Sequence, residues 1–162
     1  MFYTDNWVYF HVPKTSGTNI YLHAKEQANA QQGYKIDFEK HNPVWYFEYK
    51  IPQLGKNREY FGTVRNPYSR FVSLWSFVTE RNVTLDQFAS RESVDLFKWY
   101  DRIEDADILW DMHTTQHQIL GNRVKIFQIE KDIIDLEHAM GISFKNTRSN
   151  QGNYNKAWQD YY

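Results

Sequence analysis

Residues 7–18 read WVYFHVPKTSGT, and their order decides the fold. Trp7 to Val12 is short, apolar and rich in β-branched and aromatic side chains, and Pro13 stops it, which is the pattern of a buried strand. Good helix formers follow from Thr18 to Gln31. Strand, tight loop and helix therefore succeed one another within 25 residues. The same grammar recurs downstream. Glu59 to Val64 (EYFGTV) predicts a second strand, and Asn66-Pro67, a cap followed by proline at the first helical position, opens a helix to about Arg81. Val124 to Ile129 (VKIFQI) predicts a third strand, followed by a helix over KDIIDLEHAM that stops at Gly141.

Between these units the signals are weaker. Asn42-Pro43 predicts a helix start through VWYFEYK, with a strand as the competing reading. Thr84 and Gln87 have capping-box spacing and predict a short helix over LDQFASRE. Residues 94–121 and the tail from Asn153 to Tyr162 read as mainly helical. No repeat, linker or low-complexity tract breaks the chain, so a single domain over residues 1–162 is expected. Alternating strands and helices predict an α/β fold with a small, mostly parallel central sheet. In such sheets ligands lie at the carboxyl ends of strands.

Composition narrows the function. Lys+Arg 19 against Asp+Glu 20 gives a net charge of -1, which lacks the basic excess of a nucleic-acid binder. With no cysteine, disulfides, thiolate metal sites and cysteine nucleophiles are excluded. No apolar run reaches the roughly 18–20 residues of a membrane span. Residues 1–12 have no basic n-region, so a cytoplasmic protein is expected. The aromatic share, 18% of residues, suits either a core of large pieces or the walls of a pocket.

The loop Pro13-Lys14-Thr15-Ser16-Gly17-Thr18 is built for an anion. A helix N-terminus presents backbone N–H groups and partial positive charge. Gly17 lets the backbone approach a phosphate, Thr15, Ser16 and Thr18 carry hydroxyls, and Lys14 adds a charge where a leaving phosphate would become more negative. Its lysine precedes the glycine, unlike the kinase-type pattern GxxxxGK[ST], whose first glycine is also missing. Alone, this loop is equally well a capped helix start with an exposed lysine. The second loop, Arg65-Asn66-Pro67-Tyr68-Ser69-Arg70-Phe71-Val72-Ser73, also joins a strand to a helix. Arg65 at the strand end and Ser73 on the helix are suited to one anion, the arginine gripping it bidentately. Two such loops in a small α/β chain point to a ligand with two separated phosphate groups.

HVPKTSGTNI resembles the 5′-phosphosulfate loop of sulfotransferases that use 3′-phosphoadenosine 5′-phosphosulfate (PAPS), and VRNPYSRFVSLW resembles their 3′-phosphate motif. The similarity is closest to the carbohydrate-type, family 2 branch, and Gln116, FQIEKDI and TRSNQGNYNKAWQDYY follow in the same order. The resemblance implies a P-loop-like three-layer sandwich, PAPS as sulfuryl donor, and a hydroxyl-bearing acceptor on a sugar or small molecule. Under it Pro13, Lys14, Thr15, Ser16, Gly17 and Thr18 border the 5′-phosphosulfate, while Arg65 and Ser73 hold the 3′-phosphate. The family's usual loop is KTGGTS, and Ser16 stands here where it has its first glycine.

Sulfuryl transfer needs a base for the acceptor hydroxyl, in-line placement, and stabilisation of the departing phosphate. Lys14 is assigned the last role, and no metal is required. Of six histidines, His41 is the candidate base, with Glu39 or Asp37 as substitutes and a surface histidine near a helix cap as the bland alternative. His11 is expected inside the first strand as a buried residue or pocket wall. His113 and His117, four apart, lack a third ligand and read better as a solvated face than as a zinc pair. Glu130 is expected to order a loop, and Glu104, Asp105 and Asp107 to lie on a solvated helix face. Trp45, Tyr46, Phe47 and Tyr49 could wall an acceptor pocket, although burial is the commoner fate of such a run. The rival functions are a small-metabolite kinase using ATP and magnesium, and a non-catalytic binder of the desulfated nucleotide.

Overall fold

A computed structural model describes residues 1–30, 43–53, 56–78, 84–90 and 115–144. Contacts divide the chain into two compact units, Met1–Arg65 with Thr114–Ser149, and Asn66–His113 with Asn150–Tyr162.

The first unit holds a four-stranded sheet in the order β1-β2-β3-β4. Its strands are β1 (Phe2–Tyr3), β2 (Trp7–Phe10), β3 (Glu59–Val64) and β4 (Lys125–Gln128). β2, β3 and β4 run parallel, with Tyr9 opposite Phe61 and Phe61 opposite Lys125. β1 pairs antiparallel with β2 and was not legible in the sequence, being two residues long. Thr4 makes its turn: the Thr4 hydroxyl accepts from the Asn6 and Trp7 amides at 3.1 and 3.2 Å, and Thr4 N–H donates to Trp7 O at 2.8 Å.

Side chains alternate across the pleat, so each face of the sheet gains its own core. On one face Trp7, Tyr9, Phe61 and Phe127 meet Ile20 and Ala24 of α1 (Gly17–Ala30), with Leu136 and Met140 of a later helix, Ile133–Met140. On the other face Val8, Phe10 and Tyr60 meet Val44 and Phe47 of α2 (Val44–Lys50), with Ile119 and Leu120 of the helix Gln116–Leu120. Helices on both faces of one sheet make the three-layer α/β arrangement expected from the alternation. Each fully buried large apolar side chain contributes about 1.5–3 kcal/mol.

The second unit contains α3 (Pro67–Val78) and α4 (Leu85–Ser90). Asn66 caps α3 as its sequence predicts, its Oδ1 accepting from the Tyr68 and Ser69 amides at 3.0 and 3.2 Å. Phe71 and Phe88 join the two helices, with ring centroids 5.1 Å apart. In chain order, Gln116–Leu120 is α5 and Ile133–Met140 is α6. A full capping box opens α5: the Thr115 hydroxyl accepts from Gln118 N–H, and the Gln118 side chain accepts from Thr115 N–H. Gly141 closes α6 in the left-handed region.

Two local expectations are corrected. The cap position of α2 is Pro43 rather than Asn42, because the first helical hydrogen bonds, from Tyr46 and Phe47, close on Pro43 O. His11 lies beyond β2, which ends at Phe10, and belongs to the loop.

Candidate functional site

Both strand-to-helix loops of interest leave the carboxyl ends of neighbouring parallel strands, β2 and β3. In the first, Lys14 and Ser16 both have positive φ, 66° and 63°, whereas Thr15 between them does not. Alternation of positive and negative φ is the kind of backbone from which anion-binding nests are built. The first intrahelical bond of α1 runs from Ile20 N–H to Ser16 O at 3.1 Å. The amides of Gly17 and Thr18 thus precede the helical ladder, at the positive end of a helix with no acid in its first turn.

Gly17 is fixed by its neighbour. A Cβ there would lie 1.8 Å from His11 Cδ2, so the buried imidazole occupies the space a larger residue would need. The hydroxyls divide into two sets. Ser16 and Thr18 are exposed, whereas Thr15 is fully buried and turned inward. Thr15 Oγ1 donates to Val12 O at 2.9 Å and lies 2.9 Å from Thr63 Oγ1. Toward an anion, therefore, Thr15 has its backbone N–H and not its hydroxyl. Pro13 is buried at the loop's entry.

Lys14 is half-buried, and burial first, then the positive charge of Arg65, push its pKa down to about 8. Removing its hydration and placing a second cation nearby both disfavour the charged form. Arg65 follows directly on β3, which ends at Val64. Its backbone N–H donates to Gln116 Oε1 at 2.7 Å and its carbonyl accepts from Gln116 Nε2 at 2.8 Å. Its Nε stands 3.8 Å from Glu130 Oε1, so Glu130 faces the arginine of the loop. α5 comes this close because residue 62 is glycine, where a Cβ would meet Leu120 Cδ2 at 2.6 Å.

Lys14, Thr15, Ser16, Gly17, Thr18 and Arg65 are thus brought into one unit. Ser73 lies on α3 of the second unit and is buried, as are Ser69 and Arg70. His41, Glu39, Asp37, His113, the acids Glu104, Asp105 and Asp107, and the stretch 147–162 lie outside the described residues. His117 is exposed on α5. Among the described residues no group of three or more His, Asp or Glu is placed to hold a metal ion. The aromatic run on α2 splits by helical period: Phe47 is buried, whereas Trp45 and Tyr49 are exposed at 59% and 76%. A separate cavity of about 440 Å³, lined by Glu48, Pro52, Lys56, Asn57, Tyr60 and Arg123, lies toward the start of β3, away from these loops.

Two parts of this arrangement escaped the sequence reading. Thr63 and Tyr9 read there only as strand residues, and His11 as part of β2. The signals were a threonine two residues before the loop arginine and a glycine with a bulky neighbour six residues upstream.

The sequence matches the sulfotransferase family, in its carbohydrate-type second branch, over residues 1–117, and the chain belongs to that family. No curated protein and no solved structure matches it.

Proposed function

We propose that this sulfotransferase takes its sulfuryl group from PAPS and passes it to a hydroxyl of a carbohydrate or small molecule. The single observation that carries the reading is the state of Lys14. It is a partly desolvated lysine with a lowered pKa, in a loop whose φ alternates in sign and under the field of Arg65. A bisubstituted nucleotide needs two separated anion sites, and the two strand-end loops suit that need. The donor residues fit an anionic sulfate–phosphate group: one cation, two exposed hydroxyls and helix-start amides. When bound, PAPS supplies an activated sulfuryl group.

In this reading the Gly17 and Thr18 amides and the Ser16 and Thr18 hydroxyls orient the 5′-phosphosulfate. Lys14 stabilises the phosphate oxygen as it gains charge, and its lowered pKa suits it to give up a proton there. Arg65 is the candidate for the 3′-phosphate, and the sequence motif alone names Ser73 with it. His41 is the candidate base for the acceptor hydroxyl, with Glu39 or Asp37 as substitutes. No metal is assigned a role, because Lys14 and the loop amides supply the positive charge.

Calorimetric titration with 3′-phosphoadenosine 5′-phosphate tests this, with ATP and magnesium as the comparison. Binding without magnesium, lost or strongly weakened in Lys14→Ala and Arg65→Ala, supports the nucleotide site and leads to an acceptor screen in which His41→Ala abolishes transfer. Preference for ATP with magnesium overturns the PAPS reading in favour of a kinase. Bisphosphate binding with no transfer to any acceptor favours a non-catalytic binder.

A further inference from the structure

Behind the anion loop lies a closed set of hydroxyls that the mechanism above does not use. Tyr9 of β2 and Thr63 of β3 are fully buried, and Tyr9 Oη lies 2.6 Å from Thr63 Oγ1. Thr63 Oγ1 in turn lies 2.9 Å from Thr15 Oγ1 and donates to Thr15 O, also at 2.9 Å. Thr15 Oγ1 donates to Val12 O. Burial, set against the bond to Thr63, pushes the Tyr9 phenol well above its ordinary pKa, so it stays protonated.

The protons can be counted. Three hydroxyls hold three protons, and two of the partners, Val12 O and Thr15 O, are carbonyls that only accept. With Tyr9 donating to Thr63, Thr63 to Thr15 O and Thr15 to Val12 O, every proton is used and both carbonyls are satisfied. Nothing is left over for a ligand. The set therefore fixes the backbone on both sides of Lys14: Val12 O before it is tied to the Thr15 side chain within the loop, and Thr15 O after it is tied to Thr63 of the sheet, while Lys14 and Ser16 between and beyond them are held at positive φ.

We propose that Thr63 and Tyr9 are positioning residues for the nucleotide loop, holding Lys14, Ser16 and the following amides in their anion-binding conformation through the buried Thr15. The proposal rests on the nucleotide reading given above. Neither residue touches the ligand. Thr63 is the hub, because removing its hydroxyl orphans Tyr9 Oη and Thr15 O together. A buried polar group left without a partner relaxes the segment that carries it, and here that segment is the loop.

The experiment compares wild type with Thr63→Val, Thr63→Ser and Tyr9→Phe. Trp7→Phe serves as a control that destabilises the same core by removing the bond from Trp7 Nε1 to Met140 O. Two quantities are read: hydrogen exchange of amides 13–18 in the ligand-free protein, and calorimetric affinity for 3′-phosphoadenosine 5′-phosphate. Thr63→Val is expected to speed exchange in 13–18 and to weaken binding on the order of tenfold. Thr63→Ser, which keeps the hydroxyl, restores both, and Tyr9→Phe gives a smaller change in the same direction. Trp7→Phe lowers stability without changing either reading at the loop. Unchanged exchange or affinity in a folded Thr63→Val protein overturns the proposal, as does an equal loss in Trp7→Phe. If Thr63→Val does not fold, Tyr9→Phe decides: no change in exchange at 13–18 overturns the proposal. Faster exchange in Thr63→Val, combined with no bisphosphate binding by wild type, retains the clamp on the loop and overturns the nucleotide reading instead.

Discussion

Gln116 closes a two-bond ring on the backbone of Arg65, accepting from its N–H at 2.7 Å and donating to its carbonyl at 2.8 Å. A primary amide can do this because it carries donor and acceptor side by side, as a neighbouring strand would. The end of β3 is thus extended by one side chain, and the arginine leaves the sheet from a fixed point. Gln116→Met, similar in length but without either group, removes both of these bonds to the Arg65 backbone. It is expected to cost about 1–3 kcal/mol, read by chemical denaturation, and to weaken bisphosphate binding more than Gln118→Met does.

Ser16 holds φ at 63°, a region that costs a residue with a Cβ roughly 1–2 kcal/mol. This explains in physical terms why the resembling loops have glycine there. Ser16→Gly relieves the strain but adds freedom to the unfolded chain, so a net gain of about 0.5–1 kcal/mol is expected in denaturant titration. Ser16→Val, β-branched at the same φ, is expected to lose stability.

Lys14 gives the protein a pH signature. Its folded pKa of about 8 lies below the ordinary 10.5 of lysine, so bisphosphate affinity falls as pH rises through about 8. Lys14→Arg, which stays charged, is expected to flatten that fall. For folding the sign is opposite. Above pH 8 the unfolded chain binds more protons at this site than the folded one, so the lysine's contribution to stability rises from pH 8 toward 10.5 and is flat below 8. Denaturation of wild type and Lys14→Met across pH 7 to 10 reads this difference.

The contact between His11 and Gly17 is testable by a double-mutant cycle. Gly17→Ala puts a Cβ 1.8 Å from His11 Cδ2, and overpacking of this kind costs roughly 1–3 kcal/mol. Adding His11→Ala opens the space. The pair is expected to be more stable than the sum of the single changes predicts, whereas strict additivity would mean the two residues do not meet.

Much of this was legible in the residues. Strand periodicity located β2, β3 and β4 to within two residues at either end, and Asn66-Pro67 announced α3 because the cap and its proline are adjacent in sequence. Lys14 and Arg65 were legible as cations at strand ends. What escaped depends on distance along the chain. The bond from the Thr63 hydroxyl to Thr15 O joins residues 48 apart in the chain, and those from Gln116 to Arg65 join residues 51 apart. β1 escaped because two residues carry no period. The cap of α2 shifted to Pro43 because hydrogen-bond closure, and not side-chain type, sets where a helix begins.

Tyr9 sits opposite Phe61, so Thr63 is its diagonal neighbour on the same face of the pleat. A slip of β2 against β3 by a single residue would turn one of the two hydroxyls to the far side of the sheet. The three-hydroxyl set could not then form, and Thr15 O would lose the Thr63 hydroxyl that ties it to the sheet. Under the proposed nucleotide reading, binding would therefore report strand alignment: chains whose parallel strands have zipped in register present the finished loop, and ligand added during refolding is expected to capture those chains and leave the mispaired ones behind.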